Sequence, residues 1–300
     1  MTNPIRIGTR GSTLARIQAG LAAEALRRRG HEASLVIIET EGDRRRLDTA
    51  WGEGAFVKAI EVALLDGRID LAVHSAKDVP TDEDGRLLIA AYLPRADPRD
   101  ALVTAGGPAT LHTLPPGSRV GTDSPRRTGF VRARRPDLVV HPLHGNVDSR
   151  LRRLDAGETD ALVLACAGLD RLGRGDRAGE RLDPEVVPPA PGQGALALQV
   201  RRDDERVGDA SAGLDDRPTR IAVEAERAFL MAAGGGCRAP VGALGEVRGE
   251  ALLLLGGWAD PNGAASATRI LCGRADDGAG IVSALHRELW PDREPAGVGA

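Results

Sequence analysis

The sequence predicts an α/β protein with two similar lobes and a small α+β domain at its C-terminal end. Short apolar runs alternate with helical patterns over the first two thirds of the chain, which is typical of strands joined by helices in a parallel sheet. The order of these elements repeats once, and the character of the chain changes near Pro218. Three hundred residues also exceed the usual size of one hydrophobic core, which favours two or three domains.

The first lobe begins with a strand, a turn and a helix. The turn at residues 8–13 contains two glycines and residues that cap helices well. Buried-type runs and helical spacing then alternate along the chain. The expected elements are a strand at 5–7, a helix with Leu14, Ile17 and Leu21, a strand at 34–38, a helix with Phe56, Ile60 and Leu64, and a strand at 69–74.

A similar order of elements returns in the second lobe. The run 119–124 resembles 6–12, the run 138–140 resembles 35–37, and the run 160–166 resembles 70–75. The chain should cross between lobes at 97–100 and again at 188–194, and the apolar strand 195–200 could return to the first lobe. Two lobes joined by two crossings predict a hinged cleft.

The third domain should begin with a helix that three glycines end just before Cys237. Three strand candidates and a last helix follow, which is typical of a small α+β domain. The expected domains are residues 1–94 with 194–212, residues 98–189, and residues 216–300.

Composition excludes several classes of protein. A net charge of −3 and an aromatic content of 2% argue against nucleic-acid binding and against attraction to an anionic membrane. Three cysteines without a CxxC pair fit free thiols in a reducing compartment. No apolar run is long enough for a signal peptide or a membrane span. We therefore expect a soluble, cytoplasmic protein. We also expect the protein to be a monomer.

Polar residues at the predicted strand ends could form an anion site. Each group follows a strand and precedes a helix, where free N–H groups and the helix dipole favour an anion. Arginine adds a fork that grips a carboxylate at two points. Capping of the helices alone is the alternative for Ser12 and Ser124. The residues concerned are Thr9, Arg10 and Ser12 in the first lobe and Thr122, Ser124, Arg126 and Arg127 in the second.

Two further residues could carry chemistry. Asp78, beside Lys77, follows the third strand and could stabilise a developing cation or transfer a proton, although an ordinary cap is the alternative. Cys237 follows three glycines and precedes an arginine, which favours thiolate, although a buried structural cysteine is the alternative. His141 and His144 have no evident further ligands nearby, so we expect no metal site.

Many short motifs together resemble the hydroxymethylbilane synthase family, also called porphobilinogen deaminases. They occur in family order from about residue 5 to residue 245, which makes the resemblance highly specific. The matching pieces include Arg6-Ile7-Gly8-Thr9-Arg10 with Ser12 and Gln18, His74-Ser75-Ala76-Lys77-Asp78-Val79-Pro80, Asp97-Pro98-Arg99-Asp100-Ala101, Gly121-Thr122 with Ser124 and Arg126-Arg127, Gly145-Asn146-Val147, Pro191-Gly192-Gln193-Gly194-Ala195, and Gly235-Gly236-Cys237.

The resemblance implies a transferase of tetrapyrrole and heme biosynthesis. Its first two domains would be similar to periplasmic binding proteins, and its third would carry a covalent dipyrromethane cofactor on Cys237. Four porphobilinogen molecules would be joined head to tail on this primer, each losing ammonia, and water would release hydroxymethylbilane. The implied residues are Asp78 for catalysis; Cys237, Asp78, Lys77, Ser124, Arg126, Arg127, Arg150 and His144 for the cofactor; and Arg10, Ser12, Phe56 and Gln193 for the substrate.

Three residues depart from the family pattern. Glu53 stands where many members have lysine, His144 where they have arginine, and Asp123 where they have serine or a small residue. A neutral imidazole grips a carboxylate less well than a guanidinium does. Two alternatives therefore stay open beside the enzyme. One is a non-catalytic two-lobed binding protein for a polycarboxylate, and the other is a degenerate, slow paralogue.

Overall fold

The structure is a computed structural model that describes residues 3–38, 55–82, 84–236 and 239–296, without the side chains of residues 55 and 56. It divides into two compact units, residues 1–96 with 195–220 and residues 97–194 with 221–300. The second unit contains both the region predicted as the second lobe and the region predicted as the C-terminal domain. The residue bounds of the three predicted domains stay a prediction. The hinged cleft likewise stays a prediction.

The secondary structure follows the predicted alternation of strands and helices. The strands are β1 (Ile5–Thr9), β2 (Ala33–Ile37), β3 (Leu71–Ser75), β4 (Leu87–Tyr92), β5 (Asp100–Thr104), β6 (Arg119–Gly121), β7 (Val139–His141), β8 (Ala161–Ala165), β9 (Glu180–Arg181), β10 (Leu196–Arg201), β11 (Val241–Arg248), β12 (Ala251–Ala259) and β13 (Ser266–Arg274). The helices are α1 (Thr13–Arg28), α2 (Ala55–Leu65), α3 (Pro125–Arg134), α4 (Val147–Asp155), α5 (Cys166–Arg171), α6 (Glu205–Ala212), α7 (Arg217–Ala232) and α8 (Gly278–Leu289).

The first unit contains one five-stranded sheet in the order β2-β1-β3-β10-β4. The strands β2, β1 and β3 run parallel, whereas β10 runs antiparallel to both of its neighbours. The predicted return of the strand at 195–200 is therefore confirmed, but a fully parallel sheet is wrong. The chain reaches β10 only after residues 97–194, and so long a connection can enter the sheet in either direction. The local alternation of strands and helices therefore does not fix the direction of β10.

The second unit repeats this topology in a sheet of order β7-β6-β8-β5-β9. Again three strands are parallel, and β5 takes the antiparallel place that β10 has in the first sheet. Both sheets carry apolar side chains on both faces, since Leu71 and Ala72 in β3, like Val163 and Leu164 in β8, belong to different core clusters. The prediction of two similar α/β lobes is confirmed.

The C-terminal part of the second unit is a three-stranded antiparallel sheet, β11-β12-β13, packed against α7 and α8. Its core includes Phe229 and Leu285, both fully buried, so the expected small α+β domain is confirmed. The apolar runs around Cys166 and Cys272 predict that both cysteines are buried. Cys166 is buried, but the prediction is wrong for Cys272, which lies exposed on the outer strand β13. No helix in the described ranges has both the length and the apolar character needed to cross a membrane.

Candidate active site

A cavity of about 120 Å³ lies at the carboxyl ends of β1 and β3 in the first unit. This volume is smaller than the ~300–1,000 Å³ of a complete small-molecule site, so the cavity suits one part of a ligand, such as a single carboxylate or the edge of a ring. It brings together four of the candidate site residues of the first lobe with three further polar side chains. Its polar lining is formed by Thr9, Arg10, Ser12, Gln18, His74, Ser75 and Asp78.

The amino terminus of α1 forms one wall of this cavity. Ser12 is its N-cap, and the Ser12 hydroxyl accepts a hydrogen bond of 3.3 Å from the Ala15 amide. The capping alternative for Ser12 is thus confirmed, and a contact with substrate stays a prediction. Gln18 Nε2, one turn further along, donates to Ser75 Oγ at 3.0 Å and ties the helix to the end of β3. The wall therefore presents N–H and hydroxyl donors, which suit an anion.

Asp78 lines the same cavity from the end of a short 3₁₀ turn that follows β3. The turn is anchored by the buried Ala76, whose amide donates to the Ala195 carbonyl at 3.0 Å, and by the buried Val79. Asp78 itself is exposed, so its carboxylate is presented to the cavity by a backbone that is held firmly in place. A carboxylate in this position can accept hydrogen bonds from a ligand or exchange a proton with it.

His74 lies behind Asp78 and is buried at the end of β3. Its Nε2 is 3.0 Å from Gln199 Oε1, and Gln199 Nε2 donates to Glu61 Oε1 at 2.9 Å. Since the amide nitrogen of Gln199 faces Glu61, its oxygen faces His74, and this assigns the imidazole proton to Nε2. Burial lowers the pKa of His74 to about 4, against the opposing effects of Gln199 and Asp78. The position of His74 at a strand end predicts a hydrogen-bonded structural role rather than a metal ligand, and the bond to Gln199 confirms the hydrogen-bonded role.

In the second unit, Arg126 and Arg127 extend from the first turn of α3 to the same carboxylate, Asp100. Arg126 Nη2 lies 2.8 Å from Asp100 Oδ2, and Arg127 Nη2 lies 2.7 Å from Oδ1. The three side chains are 4%, 8% and 0% exposed. Burial acts to raise the pKa of Asp100, but the two guanidinium groups outweigh it and hold that pKa well below its usual range. One carboxylate shared by two guanidinium groups leaves the centre with one net positive charge.

Gln193 belongs to the same buried centre rather than to the surface. It is 1% exposed, and its Nε2 donates to Asp100 Oδ1 at 2.9 Å and to the Pro98 carbonyl at 2.7 Å. The turn that carries it has Gly192 at φ +76°, and the Gly192 amide donates to the fully buried carboxylate of Glu226 at 2.6 Å. The structure therefore gives Gln193 a supporting role for the arginines, and its contact with substrate stays a prediction.

Three further residues form a half-buried ionic group beside Ser124, the N-cap of α3. Asp123 Oδ1 lies 2.9 Å from His144 Nδ1, and Asp123 Oδ2 accepts a hydrogen bond from Arg150 Nη2 at 3.0 Å. Arg150 Nε is buried and has no hydrogen-bond partner among the described residues. Burial lowers the pKa of Arg150, which nevertheless stays charged at neutral pH.

The donor groups of this unit fit a molecule with several carboxylates, such as the dipyrromethane that the motifs imply. The Asp100 centre has a surplus positive charge, and Arg150 has an unused buried donor. Both are features that an added carboxylate would satisfy. The cysteine predicted to carry the group, Cys237, lies outside the described residues, as do Glu53 and the side chain of Phe56.

Sequence reasoning missed two acidic residues that build the site, Asp100 and Glu226. Asp100 was recognised as part of a motif but not as the counter-ion of the arginines, and its signal was a carboxylate at the start of an apolar strand. Glu226 lies among the apolar positions of α7, where an unpartnered carboxylate would be costly. A charged residue inside a buried pattern was therefore the available signal in both cases.

Comparison with known proteins supports one family for the whole chain. The family model described as "Porphobilinogen deaminase, dipyromethane cofactor binding domain" matches residues 5–209, and "Porphobilinogen deaminase, C-terminal domain" matches residues 220–286. The porphobilinogen deaminase of Acidothermus cellulolyticus is 49% identical over 98% of this chain and 89% of its own length. That of Mycobacterium ulcerans is 52% identical over 81% of this chain and 77% of its own length.

Among solved structures, the periplasmic VFT2 domain of Bordetella pertussis BvgS aligns with 70% of this chain and 86% of its own, at 17% identity and a TM-score of 0.42. The periplasmic aliphatic sulphonate binding protein SsuA of Escherichia coli aligns with 78% of this chain and 71% of its own, at 17% identity and a TM-score of 0.39. The two family models and the similarity to curated relatives over most of the chain agree with each other. The chain therefore belongs to the porphobilinogen deaminase family, transferases of tetrapyrrole biosynthesis that use a dipyrromethane cofactor.

Proposed function

We propose that this chain carries out the porphobilinogen deaminase reaction with Asp78 as its catalytic carboxylate. The reaction joins four porphobilinogen molecules head to tail, releases ammonia at each addition and ends with hydroxymethylbilane. The observation that carries the assignment is that Asp78 lines the same small cavity as the amino terminus of α1. The wall that suits an anion would bind an acidic group of the substrate. The carboxylate of Asp78 would stabilise positive charge that develops elsewhere on the same molecule.

The wall formed by Arg10, Ser12 and the first turn of α1 would hold a carboxylate of porphobilinogen. That substrate carries an acetate and a propionate, and helix N–H groups together with a guanidinium bind such groups well. The cavity is large enough for one of them, so the pyrrole ring would extend toward Asp78. The substrate role of Phe56 is part of the same proposal.

Asp78 would stabilise positive charge on the pyrrole as ammonia leaves, and would exchange the proton that is lost when the new carbon–carbon bond forms. Its exposure keeps it able to reach the ring, and the anchored turn fixes its direction. His74 stays neutral behind it because burial lowers the pKa of the imidazole to about 4. Asp78 therefore has no cationic histidine as a competing partner at neutral pH.

The second unit would hold the cofactor through its basic residues. When bound, the dipyrromethane supplies the free pyrrole carbon on which the chain grows. Cys237 would anchor it as a thioether, and cations would hold its carboxylates. The holding residues of this unit would be Ser124, Arg126, Arg127, His144 and Arg150. The motifs also assign Lys77 and Asp78, which belong to the first unit, to the cofactor.

A non-catalytic polycarboxylate-binding protein would use the same anion sites but would need neither Asp78 nor Cys237. Both residues are present within their motifs, so the catalytic function is the better supported one. We also propose that the enzyme works as a monomer in the cytoplasm, which sedimentation analysis and localisation of the tagged full chain would test.

Replacing Asp78 by Asn tests the assignment directly. We expect a folded protein whose turnover of porphobilinogen falls by about 10²–10⁴, because the amide can neither balance the charge nor exchange the proton. Asp82→Asn, an equal charge change at an exposed site four residues away, should stay within twofold of the wild type. Near-normal formation of hydroxymethylbilane by the Asp78→Asn protein would contradict the assignment.

A further inference from the structure

We propose that Asp123 is an internal competitor for ligand carboxylates and so sets how strongly the second unit binds its acidic ligand. The proposal rests on the function given above, because it assumes that Arg150 and His144 bind a carboxylate. Asp123 contacts both side chains at once: its Oδ2 accepts a hydrogen bond from Arg150 Nη2 at 3.0 Å, and its Oδ1 lies 2.9 Å from His144 Nδ1. It thus occupies the place that a ligand carboxylate would take.

The exposure of this group distinguishes it from a structural ion pair. The side chains of Asp123, His144 and Arg150 are 23%, 27% and 19% exposed. In the Asp100 centre, by contrast, no side chain exceeds 8% exposure. Partly exposed ion pairs exchange partners at little cost, whereas a buried pair loses much of its energy when one partner is withdrawn. The Asp123 group is therefore open to exchange.

The hydrogen bonding of Arg150 shows what a ligand would gain. Elsewhere in this chain, Arg6 uses both Nε and Nη2 to grip Asp70, at 3.0 and 2.7 Å, and Arg99 does the same with Asp97. Arg150 gives Asp123 only Nη2, while its Nε is buried without a hydrogen-bond partner among the described residues. A carboxylate that replaced Asp123 and used both nitrogens would satisfy this donor.

The same exchange favours ligands with several carboxylates. A simple monocarboxylate gains little, because one carboxylate merely replaces another. A ligand already held by a second carboxylate brings its first one to Arg150 at a high effective concentration, and this can outweigh Asp123. Asp123 thereby lowers the affinity for every ligand that binds through a carboxylate. The affinity falls most for ligands that carry only one carboxylate.

The test compares binding of a free dipyrromethane that carries the acetate and propionate groups of the cofactor to full-length Cys237→Ser protein, with and without Asp123→Asn, by isothermal titration calorimetry. The Cys237→Ser background keeps binding non-covalent. We expect Asp123→Asn to bind at least about fivefold more tightly, which corresponds to removing one unit charge at about 4 Å in water. Asp123→Glu, which retains the competing carboxylate, should stay near the parent affinity.

Two controls separate the possible failures. Asp148→Asn makes the same charge change in the first turn of α4 and should alter affinity less than twofold. Arg150→Gln should weaken binding; if it does not, the proposed function of Arg150 fails. If Arg150→Gln weakens binding but Asp123→Asn binds equally or less tightly than its parent, the competitor role alone is overturned. If the Cys237→Ser protein does not fold, a second measurement uses apo-protein that keeps the native thiol. The measured quantity is the porphobilinogen concentration at which the mass of this protein increases by pyrrole units at half-maximal rate. The same ratios between variants are expected.

Discussion

Replacement of Asp100 by Asn should destabilise the second unit more than any comparable change at its surface. Asp100 accepts from Arg127 and Gln193 and pairs with Arg126, and it is fully buried. Asn keeps the size of the side chain and one acceptor oxygen but removes the negative charge. The two guanidinium groups would then lie buried and close together without a counter-ion.

The expected cost follows from this burial. Removing one partner of a buried ion pair typically costs ~3–5 kcal/mol, since the remaining charge loses its compensation and cannot return to water. Two arginines depend on Asp100, so we expect at least about 3 kcal/mol, a large part of the ~5–15 kcal/mol by which a domain is stable. The residual amide–guanidinium hydrogen bond keeps the effect from being larger.

Hydrogen exchange read at β5, β8 and α3 measures this loss in the second unit itself. Asp160→Asn is the matched control, because Asp160 pairs with Arg119 in the same sheet at 2.9 Å but both side chains are 46% exposed. Surface pairs contribute ~0–1 kcal/mol, so the control should change protection little. If Asp100→Asn lowered the free energy of opening by no more than Asp160→Asn does, the view of Asp100 as an essential buried counter-ion would be wrong.

Two further predictions concern His74 and Cys237. Burial lowers the pKa of His74 to about 4, against ~6.5 for an exposed imidazole. Between these pH values, His74 is protonated in the unfolded chain but neutral in the folded chain. His74 should therefore contribute full stability above about pH 6.5 and lose ~3 kcal/mol of it by pH 4; a urea-unfolding series in which His74→Gln shows the same pH slope as the wild type would refute this. Intact-mass measurement should find a dipyrromethane adduct on the wild type and only the polypeptide mass on Cys237→Ser, and an adduct on the variant would place the attachment at another residue.

The repeat of the two lobes was predictable because residues close together in the sequence define each strand and recur in the same order. Arg6 is the second residue of β1 and Arg119 is the first residue of β6, the corresponding strands of the two sheets. Each arginine pairs with the aspartate that precedes the neighbouring strand, β3 or β8. Arg6 binds Asp70 at 2.7 Å, and Arg119 binds Asp160 at 2.9 Å. These are the residues by which the two runs of sequence match each other, so the repeat in the sequence corresponds to a repeated interaction in the structure.

The partners of the site arginines could not be predicted in the same way. Strand ends, turns and caps depend on residues a few positions apart, and so Ser12, Asp78 and Ser124 were found where the sequence placed them. Asp100 lies 27 residues from Arg127, and Gln193 lies 93 residues from Asp100. The pairing of Asp100 with its arginines depends on the packing of β5 against β8 and on the turn that precedes β10. No local pattern records those distances.

The contrast between the two acidic partners in the second unit has a physical consequence for how charge is divided there. Asp100 is sealed with its arginines, so that centre is part of the fold and its surplus positive charge is permanent. Asp123 is partly open to solvent, so the charge of its group toward a ligand depends on whether that carboxylate stays in place. The permanent positive charge of the Asp100 centre attracts any acidic ligand. The affinity of the Asp123 group for a ligand would instead depend on how many carboxylates the ligand carries. Under the proposed function, binding of a polycarboxylate would combine attraction by the fixed charge of the Asp100 centre with selection by Asp123.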